Sequence, residues 1–556
     1  MKDEPLLQQI RRNLRTTGAL AYYLGILPML RIPTLLPFVF ATPFTILFIL
    51  FVAGQQTAFA YGLAGAITMT EAVTGWRVGD RVIVTATQHD KGPGRGGESE
   101  SRLGTLRPGA ANRQAFTEER TIQAIDGAKL TLDKPLAHEH QGGGEFSGAV
   151  ANLSRNVVVE SADPSGVRGH TMYHRGSAGA ISYAEFRHLG KERVLGRYPI
   201  HYHLVGTTMR GSSVIGASLW DSHNRWLTIH GTNYLVVRDC VGYQSLGHGF
   251  FMEDGTEVYN VLDRNLAVQA YQAKPLPEQV FPFDKNDGAG FWWANCLNTF
   301  TRNVSCESDR YGYRFEATPT KGLDLRRAVQ QPDGSRKKVD IRSLPFVRFE
   351  ANEAHSQHYG FNLGEGEGER VERIGPDERH PFVVRNTKIW NVEWAFRPES
   401  TFVLVDQMRI SKAAYGIFKP GRSRIVYREL STTGENHGVP AAQARDEAFA
   451  RAFAGLIDDL PPATVITHGQ VLPSPTGKGA GGEGDKLVVR GVSSDNGTIT
   501  KVLVNGREAR PLTPNFAEWE VVLEGVRPGE LKLTAHAEDQ AGNVEQTKHV
   551  LTIVAK

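Results

Sequence analysis

Cysteine is scarce in this sequence, which has Cys240, Cys296 and Cys306 among 556 residues. An odd, sparse set does not form a disulfide framework, and each cysteine lies in a β-type run where small buried hydrophobic residues are expected. An excess of charge of one sign is also lacking. The formal net charge is +3 and no basic run is long, so we expect no nucleic-acid partner.

Long apolar runs are rare, with one exception near the N-terminus. Residues 32–53 carry no charge over about 22 positions, which is long enough to cross a bilayer. Basic residues before it favour a cytoplasmic N-terminus, and Ala58-Phe59-Ala60 has the form of a signal-peptidase site. We predict a signal or membrane-anchor segment over residues 1–60 and export of the remainder to the cell envelope or medium. A buried helix of a soluble protein is the alternative.

A tripeptide repeat dominates the middle of the chain. Its copies are His248-Gly249-Phe250, Ala289-Gly290-Phe291, Tyr311-Gly312-Tyr313, Tyr359-Gly360-Phe361, Trp394-Ala395-Phe396 and Tyr415-Gly416-Ile417. Where no insertion intervenes the spacing is about 22 residues, one coil of a β-solenoid. The sequence therefore predicts a mainly β protein with a right-handed parallel β-helix over residues 151–425. Insertions near 271–286, 317–343 and 364–380 are expected to be loops on one face.

Other segments complete the predicted organisation. Polar pairs recur before most tripeptides, and their Asn265, Asn303 and Asn386 are predicted to form a turn ladder. Residues 61–150 predict short strands and turns, with a strand at Arg81–Thr85 and a hairpin at Asp126-Gly127. Residues 91–112 predict a loop, 426–460 a helical linker, and 461–556 a small antiparallel β-sandwich.

Histidines concentrate between residues 196 and 265. His201 and His203 are two apart on a β-type run and share a face. If His230 and His248 occupy equivalent positions in successive coils, they lie one strand spacing apart, about 4.8 Å. Stacked coils would then gather four imidazoles near Glu253.

Three motifs in this region carry a family resemblance. They are GRYPIHYHLVG from Gly196, HGTN from His230 and LGHGFFMEDG from Leu246. In this order and spacing they resemble the β-helix of the family of the animal cell migration-inducing and hyaluronan-binding protein, and fibrocystin-like proteins share a similar region. The resemblance covers about residues 61–317, and residues 61–150 resemble part of the glycine-rich β domain that precedes the β-helix in that family. The tail over residues 461–556 resembles bacterial immunoglobulin-like modules. The family resemblance implies an extracellular protein that binds or depolymerises a glycosaminoglycan-like or other uronate-containing polysaccharide.

The residues are compatible with cleavage by elimination, which requires a base for the C5 proton and a donor that stabilises the enolate. His201 or His203 could be the base, with Arg197 and Asn233 on the carboxylate. Hydrolysis requires two facing carboxyl groups. Glu253 and Asp254 are predicted to point to opposite faces, which disfavours hydrolysis by this pair.

Several alternatives remain open at these residues. The candidate catalytic set is Arg197, His201, His203, His230, His248 and Glu253, and the candidate substrate-binding set is Asn233, Asp254, Trp220 and Trp292. A divalent metal ion such as zinc is the rival interpretation of His201, His203, His230, His248 and Glu253. The histidines could instead form a structural ladder, Arg197 a salt bridge with Glu253 or Asp254, and the tryptophans core. Depolymerase, non-catalytic carbohydrate-binding protein and adhesive envelope protein all stay as hypotheses.

Overall fold

The computed structural model describes residues 65–89, 115–177, 179–316, 322–364, 378–399, 402–418, 425–433, 442–472 and 485–555. It divides into one compact unit of Met1–Val78 with Ile122–Ala137, and a larger one of Gly79–Thr121 with His138–Lys556. The predicted signal or anchor segment and the predicted loop 91–112 lie outside the described residues. Within the described ranges, no helix is long and apolar enough to span a membrane.

The N-terminal strands are short and antiparallel. They are β1 (Ala66–Thr68), β2 (Arg81–Val84), β3 (Glu118–Asp126), β4 (Lys129–Leu132) and β5 (Val150–Asn152). In the smaller unit the end of β3 pairs with β4 in the predicted hairpin, which turns at Gly127 with φ +56°, and β1 pairs with β4. In the larger unit β2 pairs with the start of β3 and with β5.

The larger unit contains the predicted parallel β-helix, whose described strands stack in three parallel sheets. The first, which we call the site sheet, consists of β7 (Thr171–Tyr173), β10 (Ile200–Gly206), β13 (Leu227–Thr232), β16 (Phe250–Met252), β19 (Ala289–Trp293), β22 (Tyr311–Phe315), β27 (Tyr359–Leu363), β30 (Trp394–Pro398) and β33 (Tyr415–Ile417). The second consists of β8 (Ile181–Ser182), β11 (Ser213–Ile215), β14 (Val236–Arg238), β17 (Val261–Asp263), β20 (Thr299–Thr301), β25 (Arg348–Glu350), β28 (Phe382–Arg385), β31 (Val403–Asp406) and β34 (Ile425–Arg428). The third consists of β6 (Val157–Glu160), β9 (Ala184–Arg187), β12 (Ser218–Ser222), β15 (Val241–Leu246), β18 (Leu266–Tyr271), β21 (Val304–Cys306), β26 (Glu353–His355), β29 (Lys388–Trp390), β32 (Arg409–Ser411) and β35 (Ser431–Thr432).

The tripeptide repeat lines the site sheet in register. Phe250 pairs with Phe291, Phe291 with Tyr313, and the later copies follow in the same order. Their aromatic rings point inward and stack, as Phe250 and Phe291 do at 5.1 Å between centroids. The central glycine of the first copy allows close packing, because a Cβ on Gly249 would clash with Trp226.

Asparagines at one turn form a ladder between coils. Asn265 Oδ1 accepts the backbone N–H of Cys240, and Asn303 Oδ1 accepts that of Asn265. Asn352 continues the ladder, and Thr387 follows it because β26 and β29 pair Glu353 with Lys388. The ladder prediction is confirmed for Asn265 and Asn303. At Asn386 the prediction was wrong by one residue. Thr387 takes the ladder position, and Asn386 takes the left-handed position before it with φ 44°.

Insertions cover the outer face of the site sheet. A loop between β18 and β19 and the antiparallel hairpin β23 (Arg326–Gln330) with β24 (Arg336–Asp340) supply Phe281, Phe283, Val329 and Ile341 to a second apolar core. Phe251 and Trp292 of the sheet's outer face belong to the same core. The insertions therefore bury much of the surface that a bare coil would expose.

The chain ends in a helix and a sandwich. Helix α1 (Ala442–Ala454) packs Phe449, which is fully buried, beneath Arg428. The sandwich pairs sheets β36-β37-β41-β40 and β39-β38-β42-β43 around Trp519. Its strands are β36 (Ala463–Leu472), β37 (Asp485–Ser494), β38 (Ile499–Val504), β39 (Arg507–Glu508), β40 (Arg510–Pro511), β41 (Trp519–Val526), β42 (Gly529–Asp539) and β43 (His549–Ala555), and 3-10 turns lie at Ile341–Ser343 and Pro514–Phe516. An antiparallel sandwich was predicted here, and its immunoglobulin-like kinship stays a prediction.

Candidate functional site

Three consecutive strands of the site sheet bring together His201, His203, His230 and Glu253, which we call the histidine site. His203 of β10 pairs in register with His230 of β13. β13 and β16 pair Ile229 with Met252, so the residues that follow them, His230 and Glu253, lie side by side. His201 lies two residues before His203 on the same face, with its ring 5.1 Å from that of His203 and 5.9 Å from that of His230.

The column of histidines extends one strand further than the sequence analysis predicted. β7 and β10 pair Tyr173 with Tyr202, which places His174 beside His203 with 3.3 Å between their Nδ1 atoms. A repeated Tyr-His pair at 173–174 and 202–203 carried this signal in the sequence. At this end of the sheet His174 is exposed and His203 partly exposed, so the column runs from solvent into the buried site.

His201 is buried and oriented. Its side chain is 1% exposed, and Nδ1 lies 3.1 Å from the backbone carbonyl oxygen of Gly196. A carbonyl can only accept, so Nδ1 carries the proton and Nε2 has a free lone pair. This Nε2 faces Glu253 Oε2 at 3.5 Å and makes no hydrogen bond.

His230 lies between two carboxylates. Its Nδ1 is 3.1 Å from Glu253 Oε2, and its Nε2 is 3.5 Å from Asp254 Oδ2. Burial opposes a charge on the ring, but the two carboxylates outweigh it and raise the pKa of His230 to about 10. The prediction that Glu253 and Asp254 point to opposite faces was wrong. β16 ends at Met252, so both residues lie in the following turn and converge on one imidazole.

Hydrogen bonds hold the carboxylates in place. Tyr198 donates its hydroxyl to Glu253 Oε1 at 2.8 Å, and Thr256 donates its backbone N–H and its hydroxyl to Asp254 Oδ1. Burial opposes ionisation of Glu253, but His201 and His230 outweigh it and hold its pKa well below the usual range. Burial also opposes ionisation of Asp254, and His230 lowers its pKa to about 2. Burial and the nearby Asp254 raise the pKa of Glu257 well above normal.

His203 has the opposite electrostatic environment. Partial burial lowers its pKa to about 4, and the neighbouring imidazoles of His201, His230 and His174 act in the same direction. Its ring packs edge-on against that of His230 at 5.0 Å. The ring is therefore neutral at neutral pH and is the most accessible member of the histidine site.

His248 belongs to a separate buried cluster. The predicted equivalence of His230 and His248 was wrong, because Leu227 pairs with Phe250 and His248 is thus in register with Arg225. His248 Nε2 contacts Asp284 Oδ1 at 2.8 Å and Nδ1 accepts the backbone N–H of Ala289. Its ring stacks on Phe251 and Trp292 and is fully buried, so it holds the loop over the sheet.

Sequence reasoning missed Arg225 and Asp284. Arg225 is fully buried, donates to Asp284 Oδ2 at 2.7 Å and lies 3.6 Å from Glu253 Oε1. It takes the place of the salt bridge predicted as an alternative for Arg197, a bridge that is absent from the described structure. Arg197 is half-buried and, with Lys191, near enough to His170 to help burial lower the pKa of that imidazole. Asp284 lies in an insertion, where no periodic signal exists.

The tryptophans and the asparagine that were predicted to contact a sugar are buried. Trp226, Trp292 and Trp293 are at most 1% exposed and belong to the apolar cores, so stacking on a sugar was the wrong prediction for Trp292. Trp220 is 6% exposed, lies on the third sheet and is covered by Arg81 and Arg187. Asn233 is buried, and its Oδ1 accepts the backbone N–H of Val258 as a turn residue, which leaves it no surface for a substrate carboxylate.

The fold and the site define a parallel β-helix protein with a histidine-rich site on one sheet. Residues 166–361 match the family model described as CEMIP beta-helix, so this part of the chain is similar to the β-helix of that family. Fibrocystin-L of Mus musculus is 30% identical over 346 residues, covering 52% of this chain and 7% of that protein. Communication mutant protein F of Dictyostelium discoideum is 30% identical over 262 residues, covering 44% and 22%.

A G8 domain-containing protein of Dictyostelium discoideum is 29% identical over 311 residues, covering 52% of this chain and 20% of that protein. The chain thus spans less than a quarter of the length of each of these curated relatives. Among solved structures, the Pseudomonas phage phi297 tailspike gp61 matches with a TM-score of 0.17 and 11% identity, over 88% of this chain and 76% of that one.

Proposed function

We propose that this protein acts outside the cytoplasm, where it binds and depolymerises an anionic, uronate-containing polysaccharide. The resemblance of its three motifs to a hyaluronan-associated family supports this substrate class, and the apolar residues 32–53 support export with or without a membrane anchor. The observation that carries the proposal is the histidine site, where the partly exposed imidazole of His203 adjoins the buried His201, the half-buried His230 and the carboxylate of Glu253.

The chemistry that this site favours is elimination. His203 would take the C5 proton of a uronate, the C5–H electron pair would form the C4–C5 double bond, and the C4–O bond would break. The leaving oxygen would take a proton from solvent or a nearby acid. Arg197 and the positive His230 are the cations available to the substrate carboxylate, whose charge grows as the enolate forms.

Hydrolysis fits the carboxyl groups less well. It requires one protonated and one ionised carboxyl group on either side of the scissile bond. Glu257, whose pKa burial raises well above normal, is fully buried, and Glu253, whose pKa His201 and His230 hold well below normal, is 3% exposed. A polysaccharide would have to displace packed protein to reach either group.

The decisive experiment incubates the purified protein with a panel of uronate polymers and records polymer size, reducing ends and absorbance of unsaturated products. Elimination gives new unsaturated ends, and hydrolysis gives reducing ends without them. His203→Ala is expected to lower the rate about 10²- to 10⁴-fold, the usual contribution of a general base. His358→Ala is the matched control, since His358 precedes β27 on the same sheet, half-buried and paired with Glu393.

A non-catalytic carbohydrate-binding protein is the second candidate, and burial of Glu253 and His201 favours it. This function predicts that the polymer is retained by immobilised protein at unchanged length, with retention weakened by salt. An adhesive envelope protein would neither retain nor shorten it. Unchanged polymer length across the panel would contradict the depolymerase.

A further inference from the structure

Two buried ring nitrogens at the histidine site point at one carboxylate oxygen without hydrogen-bonding to it. They are His201 Nε2 and His230 Nδ1, and both lie beside Glu253 Oε2. A buried nitrogen that loses its water without gaining a hydrogen bond destabilises the fold. Two such atoms facing one oxygen indicate that a further ligand belongs between them.

The spacing of these atoms fits a transition-metal ion. Ligand atoms at about 2.0–2.1 Å from a tetrahedral ion are about 3.3 Å from one another. Glu253 Oε2 lies 3.5 Å from His201 Nε2 and 3.1 Å from His230 Nδ1, and all three atoms lie within 4.8 Å of one another. Two imidazoles and one carboxylate form a ligand set that zinc uses in catalytic sites, with a fourth position left open.

The remote atom of each ligand is held as in metal sites. His201 donates Nδ1–H to the Gly196 carbonyl, and His230 directs Nε2 at Asp254 Oδ2. Such partners fix the tautomer that leaves the other nitrogen free to coordinate. Tyr198 does the same for Glu253 by donating to its other oxygen.

We propose that His201 Nε2, His230 Nδ1 and Glu253 Oε2 bind one divalent transition-metal ion, zinc by ligand type, with Asp254 as the orienting carboxylate. The proposal deepens the proposed function, since the ion would lie next to His203 and would supply, in place of a positive His230, the positive charge that faces the substrate carboxylate. It also stands without that function, because metal binding is measured in the absence of polymer. The rival is a metal-free cluster in which the His230 imidazolium neutralises Glu253 and Asp254.

The test measures metal content of the full chain after zinc loading and gel filtration, and zinc affinity by calorimetry after chelator treatment. Wild-type protein, His358→Ala and Glu393→Gln are expected to retain one zinc ion per chain. His201→Ala, His230→Ala and Glu253→Gln are expected to lose it, and Asp254→Asn to bind zinc about 10–100-fold more weakly. The His358–Glu393 pair is the matched control because it places a histidine and a glutamate 2.7 Å apart on the same sheet.

Two spectra of the metal-loaded wild-type protein keep the proposal testable if a variant fails to fold. X-ray absorption of the zinc-loaded protein is expected to show two imidazole nitrogens and oxygen ligands at about 2.0–2.1 Å. Visible absorption of the cobalt-loaded protein is expected to show the bands of a tetrahedral site. No stoichiometric metal in the loaded wild type, or equal content in His201→Ala and wild type, would overturn the proposal. Bound zinc without polymer cleavage would reject only the depolymerase, and cleavage without bound zinc would reject only the metal site.

Discussion

Arg225 and Asp284 form a fully buried ion pair behind the histidine site. Arg225 also lies 3.6 Å above the ring of Phe251, and Asp284 also accepts from His248. Burial opposes ionisation of Asp284, but His248 and Arg225 outweigh it and lower its pKa. Removing one charge would leave the other in a site without water, which costs more than the pair itself contributes.

We therefore expect Asp284→Asn to lower the free energy of unfolding by about 3 kcal/mol, because Arg225 keeps only the more distant Glu253. Urea denaturation of Asp284→Asn, Arg225→Met and the double variant forms a cycle that isolates the coupling between the two residues. A double variant whose loss equals the sum of the single losses would show that the pair is not coupled.

The histidines and Asp284 show which features of single residues could be predicted from the sequence. His201 and His203 were placed on one face because alternation along a strand is local. His248 was misplaced because the pair His-Gly occurs at 230–231 and 248–249, once at the end of β13 and once before β16. Inward aromatic packing sets the register, and a dipeptide does not reveal where in its coil it lies. Asp284 could not be found, since its position depends on how an insertion folds back.

At the scale of the element, an acidic cluster lies at the turn between β37 and β38, which contributes one of its three aspartates. Asp495 follows β37, and Asp458 and Asp539 lie close enough for their carboxylate oxygens to approach within 4.8 Å. Burial raises the pKa of Asp495 to about 7 and that of Asp458 to about 6, and the neighbouring carboxylates act in the same direction.

A folded-state pKa above the unfolded one means that the folded protein binds more protons, so this contribution to stability is present below about pH 4 and is lost as pH rises to 7. We expect the free energy of unfolding of Asp495→Asn at pH 8 to exceed that of wild type by about 2 kcal/mol. The stability of this variant should also depend less steeply on pH. Thermal denaturation from pH 4 to 8 in chelator measures this, since a bound cation would screen the carboxylates.

Glu508→Gln is the control for this measurement, because Glu508 is exposed in the same sandwich. A wild-type stability that does not fall between pH 4 and 8, or an Asp495→Asn profile that runs parallel to wild type, would contradict the assignment.

At the scale of the whole molecule, the β-helix and the sandwich are joined by arginines from successive coils. Arg238 ends β14, whereas Arg264 and Arg302 directly follow β17 and β20. All three reach Glu518, which lies just before β41. In the sequence each of these arginines belongs to one of the repeated polar pairs, Arg238-Asp239, Arg264-Asn265 and Arg302-Asn303. Their partner lies more than 200 residues away, and no periodic pattern links a solenoid turn to a sandwich residue.

Arg210 makes the most concentrated of these contacts. It donates to the carbonyl oxygens of Thr464 and Thr547, pairs with Glu545 and lies 4.2 Å above the ring of Tyr234. Its side chain is 8% exposed, so its partners have little access to water.

We expect Arg210→Ala to destabilise the protein by about 3 kcal/mol, because it removes the cation that pairs with the buried Glu545 and the guanidinium donors to two carbonyls. Calorimetry should show the sandwich unfolding in a separate, earlier transition. Arg507→Ala, at an exposed position of the sandwich, should leave the profile unchanged. A single transition at the wild-type temperature in Arg210→Ala would refute this account of the junction.

The histidine site takes one residue or pair from each of β10, β13 and the end of β16, so its geometry depends on rung order and hardly at all on chain length. Turns between rungs could lengthen by dozens of residues, as the chain already does between β16 and β19, and leave the rings in place. A duplication that inserted one extra coil between β10 and β13 would keep every side chain of the histidine site. It would move His201 about 4.8 Å farther from His230 and Glu253. Such a duplicate would be a folded protein that has lost its chemistry.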